Sequence, residues 1–238
     1  EGYFKRIIIA GDGVEALQLV RSHVPDIIVS DVMMPRMNGY KLCKTIKEDI
    51  NISHIPVILL TARDDRQSQI SGYKNGADGY LSKPFEVEML MELIRNRLKN
   101  REYTKKRYLN AGLIPTPEES TISLTDETFL IKLNSIIQEN IENSNLGIQF
   151  ICQEVGLGRS SLYNKLKALT GMGANEYISK LRIEKAITLI SGTDMPFSEI
   201  AEKTGFTTPS YFSTAFKQYT GETPSQYKER KKKGLADK

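Results

Sequence analysis

The chain has 238 residues, with 33 Lys and Arg against 29 Asp and Glu, for a formal charge of +4. That length allows one or two domains with a sizeable core in each, and the ordinary 39% hydrophobic and 26% charged content excludes a membrane-embedded chain. Charge is balanced from Glu1 to Leu98, and the basic excess lies beyond, which suits an anionic partner for the second half but is too small to identify one. The two cysteines, Cys43 and Cys152, lie far apart among apolar positions and read as buried thiols in a reducing compartment. No run approaches the ~18 apolar residues of a membrane span, and the start carries no signal-peptide pattern. The segment is therefore expected to be cytoplasmic, with no membrane contact.

The first hundred residues alternate β-rich apolar runs with helical stretches. Residues 6–10 (RIIIA), 26–30 (DIIVS), 57–61 (VILLT) and 79–82 (GYLS) are predicted strands. Residues 14–23, 40–48, 66–75 and 86–100 are predicted helices. The strand runs show little alternation, as expected for parallel strands covered on both faces, and the order predicts a doubly wound α/β sheet. Residues 99–107 are basic and poor in large aliphatics, the expected frayed end of the last helix, and residues 112–120 (GLIPTPEES) read as linker. These features divide the chain into an α/β domain over 1–100, a linker over 101–125 and an all-α domain over 126–238.

In the all-α part, Asp126 is placed to cap a helix running to Ile141, with Phe129, Ile131, Leu133, Ile136 and Ile137 as its core face. A weak duplication follows. Ile151, Gly156, Leu162, Thr170-Gly171 and Tyr177 find counterparts in Ile200, Gly205, Phe212, Thr220-Gly221 and Tyr227. Each copy reads helix, glycine-containing turn, helix, and residues 175–190 form a connecting helix marked by Ile183, Ala186, Ile187 and Ile190. Two helix-turn-helix copies are much more specific than one.

In an open parallel sheet, functional groups gather at the carboxyl ends of the strands, where Asp31, Thr61 and Lys83 fall. Asp31 is a carboxylate placed to attack a phosphoryl group. Thr61 could donate a hydroxyl hydrogen bond to its oxygens, and Lys83 could set a compact positive charge against them. Any one of the three alone would read as an ordinary polar strand end. Together, PDIIVSDVMMPRMNGY, IPVILLTAR and GADGYLSKPF resemble three successive motifs of response-regulator receiver domains. The resemblance covers about half the chain. It implies that Asp31 is the phosphorylated residue, that Thr61 and Lys83 sense the phosphoryl group, and that Tyr80 is the aromatic switch. It also implies that a histidine kinase is the phosphoryl donor and that Pro84 follows a cis peptide.

Receivers also carry an acidic pair after their first strand, which binds Mg²⁺ with the acceptor. Here IIIAGDGVEAL resembles the second strand and helix of that family, so Asp12 reads as a turn residue and not as a metal ligand. The first strand and its helix are expected to be missing from this α/β fold, flavodoxin-like in its sheet order. Mg²⁺ belongs to a complete receiver, but only Asp31 and the backbone carbonyl of Met33 can be offered to it, and a hard cation needs more oxygen ligands. The chain is expected to accept phosphate poorly.

Residues 146–230 resemble AraC-type DNA-binding domains, carried by IQFICQEVGLGRSSLYNKLKALTG and FSEIAEKTGFTTPSYFSTAFKQYTG, followed by ETPSQYKER. The resemblance implies double-stranded DNA as partner, with two recognition helices entering successive major-groove segments about 34 Å apart. Leu162, Leu166, Phe212 and Phe216 have core spacing. Ser160, Tyr163 and Asn164, with Ser210, Tyr211 and Thr214, are candidates to meet base edges. Lys165, Lys167 and Lys217 are candidates for phosphates. Tyr211 reads equally well as a packed aromatic, and Lys231-Lys232-Lys233 reads as a solvated terminus or a phosphate-binding tail.

The resulting expectation is a sequence-specific DNA-binding transcription regulator of a two-component phosphorelay, with a homodimer left open. LYNKLKALTG, the TPEES region and the missing receiver start also resemble hybrid sensor kinases. On that reading this is a cytoplasmic C-terminal portion of a parent anchored in the bacterial inner membrane. A phosphorylation-independent DNA-binding regulator is the third reading. An enzyme is not expected: neither His23 nor His54 sits in a catalytic motif, and there is no Gly-rich nucleotide loop.

Overall fold

The computed structural model describes residues 4–62, 76–110 and 123–236. The chain divides into two compact units, Glu1–Phe129 with Lys167–Gly171, and Leu130–Leu166 with Met172–Lys238.

The first unit is built on a parallel three-stranded sheet of β1 (Ile28–Asp31), β2 (Val57–Ala62) and β3 (Gly79–Lys83), in the order β1-β2-β3. The register sets Asp31 beside Leu60, Thr61 beside Ser82 and Ala62 beside Lys83. The central strand is sealed on both faces, with Val57, Ile58 and Leu59 buried, as its unbroken apolar run predicts. Helices α1 (Gly13–His23) and α2 (Gly39–Glu48) pack on it, and Val20, Leu42, Cys43, Ile46 and Ile55 close the core. Asp12 is indeed a turn residue: it is the N-cap of α1, and its carboxylate accepts from the Val14 and Glu15 amides at 2.9 and 3.1 Å. The Lys83–Pro84 peptide is cis.

Two expectations fail here. Residues 6–10 form no strand. A strand needs a hydrogen-bonding neighbour, and among the described residues the sheet ladder runs only through β1, β2 and β3, so Ile7 and Ile9 stay 72% and 84% exposed. The last helix of this unit, α3 (Val87–Asn110), runs ten residues past the expected end at Asn100. Its basic stretch is rich in straight-chain Lys, Arg and Glu, all good helix formers, with Glu102 paired to Lys105 one turn on. The first residues of the expected linker are thus helical, while residues 112–120 and the expected helix at 66–75 lie outside the described residues.

After α4 (Leu124–Glu139) come α5 (Ile148–Val155), α6 (Arg159–Thr170), α7 (Ala174–Gly192), α8 (Phe197–Lys203), α9 (Pro209–Thr220) and α10 (Pro224–Ala236). Ser123, not Asp126, caps α4, its hydroxyl oxygen accepting from the Asp126 amide at 3.2 Å. Ile131 is exposed and Leu130 buried in its stead. At 100° per residue, Phe129, Leu130, Leu133, Ile136 and Ile137 share one face, and Ile131 points away from it. The four residues expected in the recognition-helix core, Leu162, Leu166, Phe212 and Phe216, are all buried. A run of aromatics fills the second half of this unit: Phe206, Phe212, Phe216 and Tyr227 contact in sequence at centroid distances of 5.4, 5.7 and 5.5 Å.

Both helix-turn-helix copies turn on a left-handed glycine, Gly156 at φ 73° and Gly205 at φ 70°. The next amide in each reaches back into the first helix, Leu157 N to Cys152 O at 3.0 Å and Phe206 N to Ala201 O at 2.9 Å. Their surroundings differ. A β-carbon at Gly156 would meet nothing within 4 Å, whereas one at Gly205 would stand 2.2 Å from the Ile141 carbonyl oxygen. Gly156→Ala should therefore cost only the backbone penalty of about 1–2 kcal/mol, and Gly205→Ala clearly more, because the Ile141 backbone must also move. Urea denaturation of the two variants side by side measures the difference.

Candidate acceptor site and nucleic-acid interface

The parallel register sets the ends of β1, β2 and β3 side by side, so Asp31 and Lys83, far apart in sequence, meet as an ion pair through Oδ2 and Nζ. The other carboxylate oxygen accepts the Met33 amide at 3.1 Å. Burial works to raise the Asp31 carboxyl, but the Lys83 ammonium and the Met33 and Val32 amides outweigh it and hold the group below the usual carboxylate range. Asp31 stays ionised and partly exposed, the state a nucleophile needs. Thr61 lies on β2 almost fully buried, and its hydroxyl has no hydrogen-bond partner among the described residues. Tyr80 stands half-buried against the core of the unit.

The loop after Asp31 is tied down by a contact that sequence patterning does not announce. Arg36, at a left-handed φ of 57°, donates through Nε to Asp12 Oδ2 at 2.6 Å and pairs with it through Nη2 as well. The Asp12 carboxylate is thereby committed to Arg36 and to the α1 cap. Among the described residues no group of three His, Cys, Asp or Glu converges to hold a metal ion. Asp31 and the Met33 carbonyl do not by themselves make a fit for Mg²⁺, which wants near-octahedral oxygen.

The exposed residues of α6 and α9 form one polar stripe on each helix. Ser160, Tyr163, Asn164 and Lys167 recur at helical spacing on α6, and Ser210, Tyr211, Thr214 and Lys217 on α9; all eight are exposed. Tyr163 and Tyr211 are each 54% exposed. The Tyr211 ring meets the Phe206 edge at 5.8 Å, so it is packed at its base and open at its tip. Lys165 is the correction. It is 0% exposed, on the inner side of α6 with Leu162 and Leu169, and is not placed to meet a phosphate. Its spacing, three and four residues from buried Leu162 and Leu169, was the signal in the sequence.

Comparison with known proteins finds two families along the chain. Residues 1–95 match the response regulator receiver domain family, and residues 151–230 a helix-turn-helix domain family. The chain is 42% identical, over 94% of its length, to histidine kinase P4 of Formosa agariphila, of which it spans only 16%. It is 36% identical to a probable transcriptional regulator, ycf29, of Porphyra purpurea, over 56% of this chain and 71% of that one. The C-terminal domain of AraT, a response regulator from Geobacillus stearothermophilus, is similar at 31% identity over 43% of this chain and 84% of that one, with a TM-score of 0.41. The protein belongs to the response-regulator family, with a receiver module followed by an AraC-type helix-turn-helix module.

The Asp31–Lys83 ion pair carries a direct consequence. Removing the Lys83 ammonium as Lys83→Met should move the Asp31 carboxyl upward toward its ordinary value of 3.8. Carboxyl-carbon NMR titration of the two proteins reads this shift; an unmoved Asp31 would assign the low value to the amides alone.

Proposed function

We propose that this chain is the output end of a two-component system, a transcription regulator whose α6 and α9 read duplex DNA under control of phosphorylation at Asp31. The exposed polar stripes on α6 and α9 carry this reading. In the register of the duplication, Ser160, Asn164 and Lys167 correspond to Ser210, Thr214 and Lys217, and each outward face adds one exposed tyrosine, Tyr163 or Tyr211, at a different position. Asn164 is suited to pair with adenine, and the tyrosines to contact bases. Lys167 and Lys217 are suited to phosphates, which position without specifying. Lys167→Ala or Lys217→Ala should weaken binding to all sequences and lower the salt slope by about one. Asn164→Ala should instead relax preference at one base pair by about 1–3 kcal/mol. Fluorescence anisotropy on a selected duplex and a scrambled one, over a salt series, separates the two patterns.

At the acceptor, the ionised Asp31 carboxylate is the attacking group, the buried Thr61 hydroxyl is positioned to donate to a phosphoryl oxygen, and the Lys83 ammonium to exchange its carboxylate partner for that group. Mg²⁺, when bound to a receiver, neutralises phosphoryl charge. With Asp12 committed elsewhere, the described residues bring too few oxygen ligands together for it, so this polypeptide by itself accepts phosphate poorly and depends on a kinase donor for phosphorylation at Asp31. Incubation with Mg²⁺ and acetyl phosphate, followed by intact-mass measurement, should show little modification; stoichiometric phosphorylation of Asp31 would overturn this point.

A second reading, that the chain is the C-terminal part of a hybrid histidine kinase, is favoured by the relation to the Formosa agariphila kinase along nearly the whole chain. The parent would then lie in the inner membrane with this part on the cytoplasmic side and the kinase as phosphoryl donor. Among the described residues no helix is long and apolar enough to cross a membrane. The coding sequence upstream of Glu1 decides between the two readings.

A further inference from the structure

Within the second unit, one guanidinium joins three segments that carry the two helix-turn-helix copies. Arg182 lies midway along α7 and is half-buried. Its Nη2 donates to the Asn143 carbonyl at 2.7 Å, in the turn between α4 and α5, just ahead of the first copy. Its Cζ stands 6.0 Å from the Phe206 centroid, in the turn of the second copy. A β-carbon at Gly205 would come within 2.9 Å of Nη2 and 2.2 Å of the Ile141 carbonyl oxygen, so the second turn is pressed directly onto the segment leading into the first. Lys185, one residue short of a turn further along α7, reaches the same connection through Glu142 at 3.3 Å. From Phe206 the contact passes outward to Tyr211 on the exposed stripe of α9.

Burial in this place works against the charged guanidinium, and its Nε has no hydrogen-bond partner among the described residues. A half-buried cation with an unmatched donor is a poor stabilising device. Its planar shape is what the place uses, with the edge donating to a carbonyl while the face lies toward an aromatic ring. The first helix-turn-helix copy has no corresponding arrangement at its turn, where nothing approaches Gly156.

We infer that Arg182 is a positioning residue that fixes the second recognition helix against the segment leading into the first, so that the pair reads one fixed spacing of half-sites on DNA. This rests on the DNA-binding reading. Two recognition elements on a rigid frame accept one separation along the groove; on a loosened frame they accept several, each less tightly.

The test uses the full chain, Arg182→Met, which keeps the apolar stem, and Arg182→Lys, which keeps the charge but not the planar fork. Binding is measured by anisotropy on a selected duplex and on versions with one or two base pairs inserted or deleted between its half-sites. The wild type should lose about tenfold or more off its preferred spacing. Both variants should flatten that dependence while keeping the base preference within each half-site. In parallel, spin labels at Gln153 and Gln218, both exposed and outside the proposed DNA stripes, report the separation of the copies without DNA. Their distance distribution should broaden in the variants. An equal loss at every spacing with an unchanged distance distribution would mark Arg182 as ordinary packing and overturn the proposal. If the wild type bound no duplex, the DNA reading itself would fail, and the spin-label distances would still show whether Arg182 holds the copies together.

Discussion

Parallel pairing is the constraint on which the first unit depends. Three strands running the same way bring their carboxyl ends to one edge, and the register sets Asp31, Thr61 and Lys83 within two rungs of one another. Nothing in the local chemistry of any one residue makes it special. The sheet gathers a carboxylate, a buried hydroxyl and an ammonium on adjacent rungs, and the central strand, buried on both faces, keeps them there. The low Asp31 carboxyl follows from that gathering, because Lys83 reaches it only through the sheet.

The second unit solves a different problem with helices alone. The core of its second half is a file of aromatic rings, from Phe206 in the turn through Phe212 and Phe216 on α9 to Tyr227 on α10. Burying Phe212 and Phe216 turns the opposite side of α9 outward, and Leu162 with Leu166 does the same for α6. The polar stripes are therefore what remains once the apolar positions have found the core. The same rule removes Lys165 from the outer surface.

Much of this was legible in the sequence because it rests on periodicity and short motifs. Strands at 26–30, 57–61 and 79–82 lie within a residue or two of those found, and the duplication marked both turns through Gly156 and Gly205. The errors share a physical cause. RIIIA has strand composition, but a ladder depends on a neighbour, which composition does not encode. The basic run after Asn100 looked frayed because it lacks aliphatics, yet helix propensity resides as much in Lys, Arg and Glu. Ile131 and Lys165 were misplaced by residue type where angle around the helix decides. The Arg36–Asp12 and Arg182–Asn143 contacts were beyond reach: each joins distant segments, one ending on a backbone carbonyl that any residue would supply.

The two thiols give each unit its own seal. Cys43 is enclosed in the α/β core, where burial pushes its thiol up to about 12, and Cys152 is enclosed in the helical unit on α5. Both sulfurs are buried, so neither meets an alkylating reagent while its surroundings stay closed. Each is reached only when its own unit opens, and the two signals are separable by peptide mass. The chain thus carries a built-in record of which half loosens first, written in the order its cysteines are modified.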